Sequence, residues 1–168
     1  MLRDWKRFPW YWCDALFMEP PVEAKLGRLT GDPRYIEFLE HEWLVAQTLF
    51  YDRNSHLFSR DHTFLDRYHE HGETIPWSRG NGWVMGGIVR VPEALPENSP
   101  LRHSYEQLLC EMAAKIASIQ GNDGLWHTDL LNSDSYPLRR LPVRRSLSMP
   151  SPGASITINS MPRSTVRS

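Results

Sequence analysis

The chain has 168 residues, 40% of them hydrophobic, and a formal net charge of −1 at neutral pH. That length supports one domain with a real core, and the near-balanced charge predicts neither a nucleic-acid nor a membrane partner. No stretch is long and apolar enough to span a bilayer. The opening Met1-Leu2-Arg3-Asp4-Trp5-Lys6 has no apolar run of the signal-peptide kind, so a cytoplasmic and a secreted location both stay open, and the oligomeric state is undetermined. Cys13 and Cys110 make no metal spacing and no disulfide framework; Cys110 falls in a helical pattern and is expected as a small core residue.

Trp10 to Met18 is an aromatic segment entering a helix. Pro20-Pro21 suits a loop and the first turn of a short helix over 22–29, where a missing N–H is harmless. Thr30-Gly31-Asp32-Pro33 reads as a turn that closes one helix and opens the next. Tyr35, Leu39, Trp43, Ala46 and Phe50 fall on one stripe of a 3.6-residue period, predicting an amphipathic helix over 34–51. Residues 52–76 are rich in His and charge and are expected to be irregular, a length at which connectors are usually functional or mobile. A helix is predicted from Gly82 to Leu95, interrupted by Pro92. Ser99-Pro100 opens another, with Tyr105, Leu108, Leu109, Met112, Ile116 and Ile119 as its apolar positions, and Gly121-Asn122-Asp123-Gly124 ends it. Helix, short turn, helix recurs, which favours an all-α fold of antiparallel hairpins.

The chemistry concentrates in Trp77-Ser78-Arg79-Gly80-Asn81-Gly82-Trp83. Flat aromatic faces and a forked guanidinium suit a carboxylated sugar ring. Arg79 is the carboxylate-binding candidate, with a surface ion pair as its alternative. Trp77 and Trp83 are candidates for stacking or for the core, and Asn81 for sugar hydroxyls or a turn. Asp14 follows three aromatic residues and Cys13; a carboxyl against such walls tends to keep its proton, as a general acid must. Its alternative is the N-cap of the helix starting there. Trp12 and Trp126 are pocket candidates for which core packing is favoured. Arg60 and Asp61 lie in the irregular segment. His56, His62, His69 and His71 match no standard ligand spacing, so a solvated loop and no metal site are expected.

These motifs resemble the unsaturated rhamnogalacturonyl hydrolases of the glycoside hydrolase 88/105 group. The resemblance rests on Trp10-Tyr11-Trp12-Cys13-Asp14-Ala15-Leu16-Phe17-Met18 with Pro20-Pro21, on Leu29-Thr30-Gly31-Asp32, on Trp77 to Val91, and on Gly124-Leu125-Trp126 with Asp134-Ser135-Tyr136-Pro137. It implies part of an (α/α)6 toroid and hydrolysis of an unsaturated uronyl–sugar linkage without a cofactor. It further implies Asp14 as catalytic acid/base, and Trp77, Arg79, Asn81, Trp83, Trp12 and Arg60 around the substrate. Some relatives have a functional His where the context resembles that of Arg60, a departure here. The resemblance also implies an important carboxylate in an earlier hairpin, upstream of residue 1. Two alternatives therefore stand beside the enzyme: an inactive fragment of one, or an unrelated α/α carbohydrate-binding or epimerase-like domain.

The resemblance divides the chain into a hydrolase unit over 1–137 and a tail over 138–168. The tail holds six Arg, seven Ser, four Pro and no acidic residue, leaving 13 basic against 20 acidic side chains before it, a net of −7. One expectation is a disordered basic segment. The other is a reading frame displaced by one nucleotide near Pro137. Codons compatible with Leu138 to Ser146, read one base earlier, give P-E-T-S-G-S-A-F, the acidic-Thr-Ser-Gly motif that the resemblance implies at this point.

Overall fold

The computed structural model describes residues 10–99 and 101–134. The tail over 138–168, with both expectations for it, lies outside the described residues. The fold is mostly helical, in the order α1 (Ala15–Met18), α2 (Pro20–Thr30), α3 (Pro33–Phe50), β1 (Tyr51–Asp52), β2 (Leu57–Phe58), a 3-10 helix (His62–Phe64), α4 (Ser78–Ala94) and α5 (Leu101–Ser118). The all-α expectation is thus amended by a small antiparallel sheet, registered Tyr51 to Phe58 and Asp52 to Leu57.

Local chemistry explains the helix limits. Pro20 and Pro21 occupy the opening positions of α2, and Gly31 closes it in the left-handed region at φ 70°, a conformation that favours glycine. The Asp32 carboxylate accepts the Arg34 backbone N–H at 3.0 Å and caps α3. α2 and α3 pack on each other across this two-residue link, and α4 packs on α1, α2 and α5.

α4 departs from its predicted limits at both ends. It starts at Ser78 rather than Gly82, because Ser78 N–H bonds to Thr128 O at 2.9 Å and Asn81 N–H to Trp77 O at 3.0 Å. It also runs through Pro92 to Ala94. The bond that Pro92 cannot donate falls in the last turns, where little helix remains to be disrupted.

The core joins Leu39, Trp43, Ala46 and Phe50 of α3 to Val84, Ile88 and Val91 of α4 and to Tyr105, Leu108 and Met112 of α5. Cys110 is exposed, against expectation. It lies two residues from both Leu108 and Met112, about 200° around the helix from each, on the opposite face.

The segment over 52–76 is neither structureless nor merely solvated. Its backbone is tied to residues 11–13, to Leu130, whose N–H bonds to Pro76 O at 3.0 Å, and to itself. Cys13 N–H bonds to Arg60 O at 2.9 Å and His62 N–H to Tyr11 O at 3.2 Å. Isolated bridges join Ser59 to Pro76 and Trp77 to Asp129. His69 Nε2 lies 2.9 Å from Asp129 Oδ2, both side chains nearly buried, and the His62 ring meets Tyr11 edge-on. Among the described residues no group of three or more His, Cys, Asp or Glu is placed to hold a metal ion, and no helix is long and apolar enough to cross a membrane.

Candidate active site

The start of α1, the start of α4 and the loop after β2 meet around one carboxyl group. Asp14 occupies the N-cap position of α1, but its backbone is helical and its side chain makes no capping bond. The capping alternative is therefore not realised. Instead Oδ1 accepts from the Cys13 thiol at 3.6 Å. Cys13 is fully buried. Burial first, then the neighbouring Asp14 charge, pushes its thiol far above the usual range, so it serves as a neutral donor and not as a nucleophile.

Burial also raises the Asp14 carboxyl above its ordinary value, against the opposing pull of the Cys13 bond and of the Arg79 and Arg60 charges. An acid of this kind keeps its proton to higher pH than an exposed Asp, while two cations stabilise the carboxylate left after donation.

Gly80 sets how closely these parts approach. A Cβ built on it would lie 2.5 Å from Cys13 Sγ, 2.9 Å from Trp77 Cε3 and 3.2 Å from Asp14 Oδ1. The absent side chain is the space in which Cys13, Asp14 and Trp77 converge on the first turn of α4. Gly87 does the same one level down, where a Cβ would meet the Leu16 carbonyl oxygen at 2.0 Å. α1 is thus seated directly on α4.

Arg79 is exposed and stacks over Trp77, its guanidinium carbon 4.2 Å from the ring centroid. Trp83 packs beside Phe17 at 4.6 Å between centroids. Trp12, expected to favour the core, is 41% exposed and stands 5.4 Å from the Arg60 guanidinium. Trp126 does pack in the core, donating its indole N–H to Ile116 O at 2.8 Å.

Asn81 lies inside the fold, not on its surface. It is 0% exposed. Its Oδ1 accepts from Phe58 N–H at 2.8 Å, and its Nδ2 donates to Phe58 O at 2.9 Å and Trp77 O at 3.0 Å. The amide holds β2 against α4.

Asp61 was not anticipated as part of the site. It is buried, yet hydrogen bonds from Thr63 and Arg60 outweigh the burial and hold its carboxyl below the usual range. Its Oδ2 accepts from Arg60 Nε at 2.6 Å. Cys13, Gly80 and Phe17 were likewise missed as shaping residues, although each lies within a motif the sequence makes conspicuous.

Comparison with known proteins shows the family. Residues 3–139 match Glycosyl Hydrolase Family 88. The chain belongs to that family. Membership sets aside the unrelated carbohydrate-binding or epimerase-like domain. The chain is 37% identical over 137 residues to an unsaturated 3S-rhamnoglycuronyl hydrolase of Formosa agariphila, covering 78% of this chain and 36% of that protein. A protein of the same name from an Alteromonas species is 39% identical over 126 residues, covering 74% of this chain and 30% of the relative. A family 88 glycosyl hydrolase structure from Bacteroides vulgatus superposes with a TM-score of 0.68 at 33% identity, over 73% of this chain and 36% of that one. The chain thus spans about a third of the length of the relatives it matches.

Proposed function

We propose that this family 88 chain carries the acid-bearing part of a hydrolase that releases an unsaturated uronic acid from a rhamnose-containing oligosaccharide, and that its helices form an arc of an (α/α)6 toroid. The observation that carries the reading is the Asp14 carboxyl, raised by burial within the field of Arg79 and Arg60 and bonded by the Cys13 thiol. Its substrate would be a uronyl sugar with a C4–C5 double bond, an enol ether through the ring oxygen. Asp14 gives its proton to C4, leaving positive charge shared by C5 and the ring oxygen. Water adds to C5 and returns a proton to the Asp14 carboxylate. The hemiketal then opens at the C5–oxygen bond, and the released anomeric centre sheds the neighbouring sugar. One water is consumed and the acid is regenerated. Arg79, stacked on Trp77, holds the uronate carboxylate through its fork. Trp83 and Trp12 wall the sugar, and no bound cofactor enters any step.

The test is direct. The chain is mixed with an unsaturated uronyl-rhamnose disaccharide, and the ultraviolet absorbance of the conjugated double bond is followed. The native chain should remove it and Asp14→Asn should not; an Asn variant retaining most of the rate would take Asp14 out of the acid role. A second reading is a chain that forms this site without turning substrate over. The large exposed apolar side chains of Val22, Leu29 and Leu44 favour it, since such surface normally meets a partner element. Binding of the disaccharide with no loss of absorbance in the native chain would decide for that reading.

A further inference from the structure

We propose that His69 and Asp129 are a positioning pair for substrate binding: their contact fastens the 68–74 hairpin at the start of α4 and so fixes Trp77, on which Arg79 stacks. The inference rests on the hydrolase reading above and adds two residues that it does not use.

The chain leading into α4 is braced from two directions. Trp77 pairs with Asp129 as an isolated antiparallel bridge. Flanking it, the Ser78 N–H bonds to Thr128 O at 2.9 Å and the Leu130 N–H to Pro76 O at 3.0 Å. The second brace comes from residues 68–74, which fold back on themselves just before Trp77. The Tyr68–Thr74 bridge closes this hairpin, the His69 N–H bonds to Glu73 O at 2.8 Å, and the chain turns at Gly72 with φ 85°. Its tip over 70–73 is largely exposed, so the hairpin gains little from burial and depends on side-chain ties to the body. The Thr74 hydroxyl donates to Asp52 Oδ2 at 3.3 Å, a long contact. His69 Nε2 lies 2.9 Å from Asp129 Oδ2.

The His69–Asp129 contact is the stronger tie. The two side chains are 11% and 1% exposed. The contact is off hydrogen-bond alignment, yet both atoms are buried and neither has a hydrogen-bond partner elsewhere among the described residues. Removing one therefore strands the other away from water. Asp129 also joins the two braces. Its Oδ1 accepts the Leu131 N–H at 3.1 Å and the Asn132 N–H at 3.3 Å, its Oδ2 faces His69, and its backbone pairs with Trp77. One carboxylate thus locks the hairpin to the segment that sets Trp77 in place.

The consequence falls on binding rather than on the acid. Arg79 is exposed and lies over the Trp77 ring, so the direction of its fork follows that ring. Asp14 is held from the α1 side, through Cys13 and the clearance at Gly80. Loosening the hairpin blurs the carboxylate grip and leaves the proton donor where it was. A change of that kind appears in KM and not in kcat.

Three variants of the full chain test this. His69→Phe keeps a flat ring of similar size and removes the polar atom. His69→Ala removes both. His69→Gln returns an amide nitrogen to the place of Nε2. Turnover of the unsaturated uronyl-rhamnose disaccharide is followed by ultraviolet absorbance, its binding by calorimetry, and backbone amide hydrogen exchange by NMR. His69→Phe and His69→Ala should raise KM and Kd about tenfold, the scale of one charge-assisted contact, with kcat within about twofold of native. His69→Gln should recover most of that loss. The Ser78 and Leu130 amides should exchange faster in the Phe and Ala variants, while those of α5 stay as in the native chain. A native KM in His69→Phe would overturn the pair, as would a fall in kcat that tracks the melting temperature across all three variants. Failure of the hydrolase reading looks different: the absorbance is never lost even in the native chain, while the Ser78 amide still responds to His69→Phe and is restored by His69→Gln.

Discussion

Replacing Gly80 with alanine tests how tightly the acid is clamped onto α4. Two effects compete. Alanine in a helix interior is favoured over glycine by roughly 0.8–1 kcal/mol. Against this, the new Cβ would lie 2.5 Å from Cys13 Sγ and 2.9 Å from Trp77 Cε3, both well inside van der Waals contact. Neither neighbour is the free end of a flexible chain: Cys13 is fully buried and its backbone N–H is tied to Arg60 O. Overpacking of this kind costs about 1–3 kcal/mol, so the balance runs from near zero to about 2 kcal/mol of destabilisation. Gly82 is the internal control. It lies in the same helix, and a Cβ there would meet nothing within 4 Å, so Gly82→Ala should gain the propensity term alone, about 1 kcal/mol. Urea melts should put Gly82→Ala above the native midpoint and Gly80→Ala at or below it. Activity adds a second readout, because relief of the Gly80 clash moves Cys13 and Asp14 together, and a misplacement near 1 Å costs on the order of 100-fold in rate. A Gly80→Ala variant as stable as Gly82→Ala, with native activity, would refute the clamp.

Asn81→Ala should destabilise by about 2–4 kcal/mol, since both backbone groups of Phe58 lose their partner in a buried site; a chemical melt within 0.5 kcal/mol of native, a change typical of surface positions, would contradict the bridging role. Arg79→Lys keeps the charge but loses the fork, so KM for the disaccharide should rise about tenfold with the melting temperature unchanged; an unchanged KM would make Arg79 structural. Because burial raises the Asp14 carboxyl in the folded chain, the folded state binds that proton more tightly than the unfolded state. Its contribution is complete below the ordinary Asp range and is lost as pH rises through the shifted value. Asp14→Asn should therefore melt higher than the native chain at neutral pH and alike in acid, and a constant difference across that range would refute the assignment.

The helices were readable where their cause is local. The stripe of α3 and its Asp32-Pro33 opening lie within one window of sequence, and Leu39, Trp43, Ala46 and Phe50 are indeed buried. The true position of Cys110 was available from the same periodicity. What escaped depends on distant partners. Gly80 and Gly82 look like helix breakers in isolation, yet Gly80 is there for clearance from Cys13 and Asp14, a contact some 66 positions away in the chain. The order in 52–76 comes from pairings with 11–13 and 129–130 and from the Ser59–Pro76 bridge within it, none of which leaves a periodic trace. Asn81 has the composition of a sugar ligand and the environment of a structural bridge, and only the position of Phe58 separates the two.

Asp14 and Asp61 show why residue type alone could not assign the chemistry. Both are carboxylates drawn out of water within the same cluster, and burial pushes both upward. They part company through the donors supplied. Asp61 receives the Thr63 N–H, the Thr63 hydroxyl and Arg60 Nε at short range, which favour its charged form. Asp14 receives a thiol at 3.6 Å, the weakest donor available, while its arginines act through space rather than through a bond. Moving either arginine onto Asp14 would strengthen the fold and lower the carboxyl, at the expense of the proton. Arg60 is bonded to Asp61 instead, and Arg79 stacks on Trp77. The Arg60 that Asp61 holds also acts on Asp14 through space, so the Asp61–Arg60 pair belongs to the surroundings of the Asp14 carboxyl.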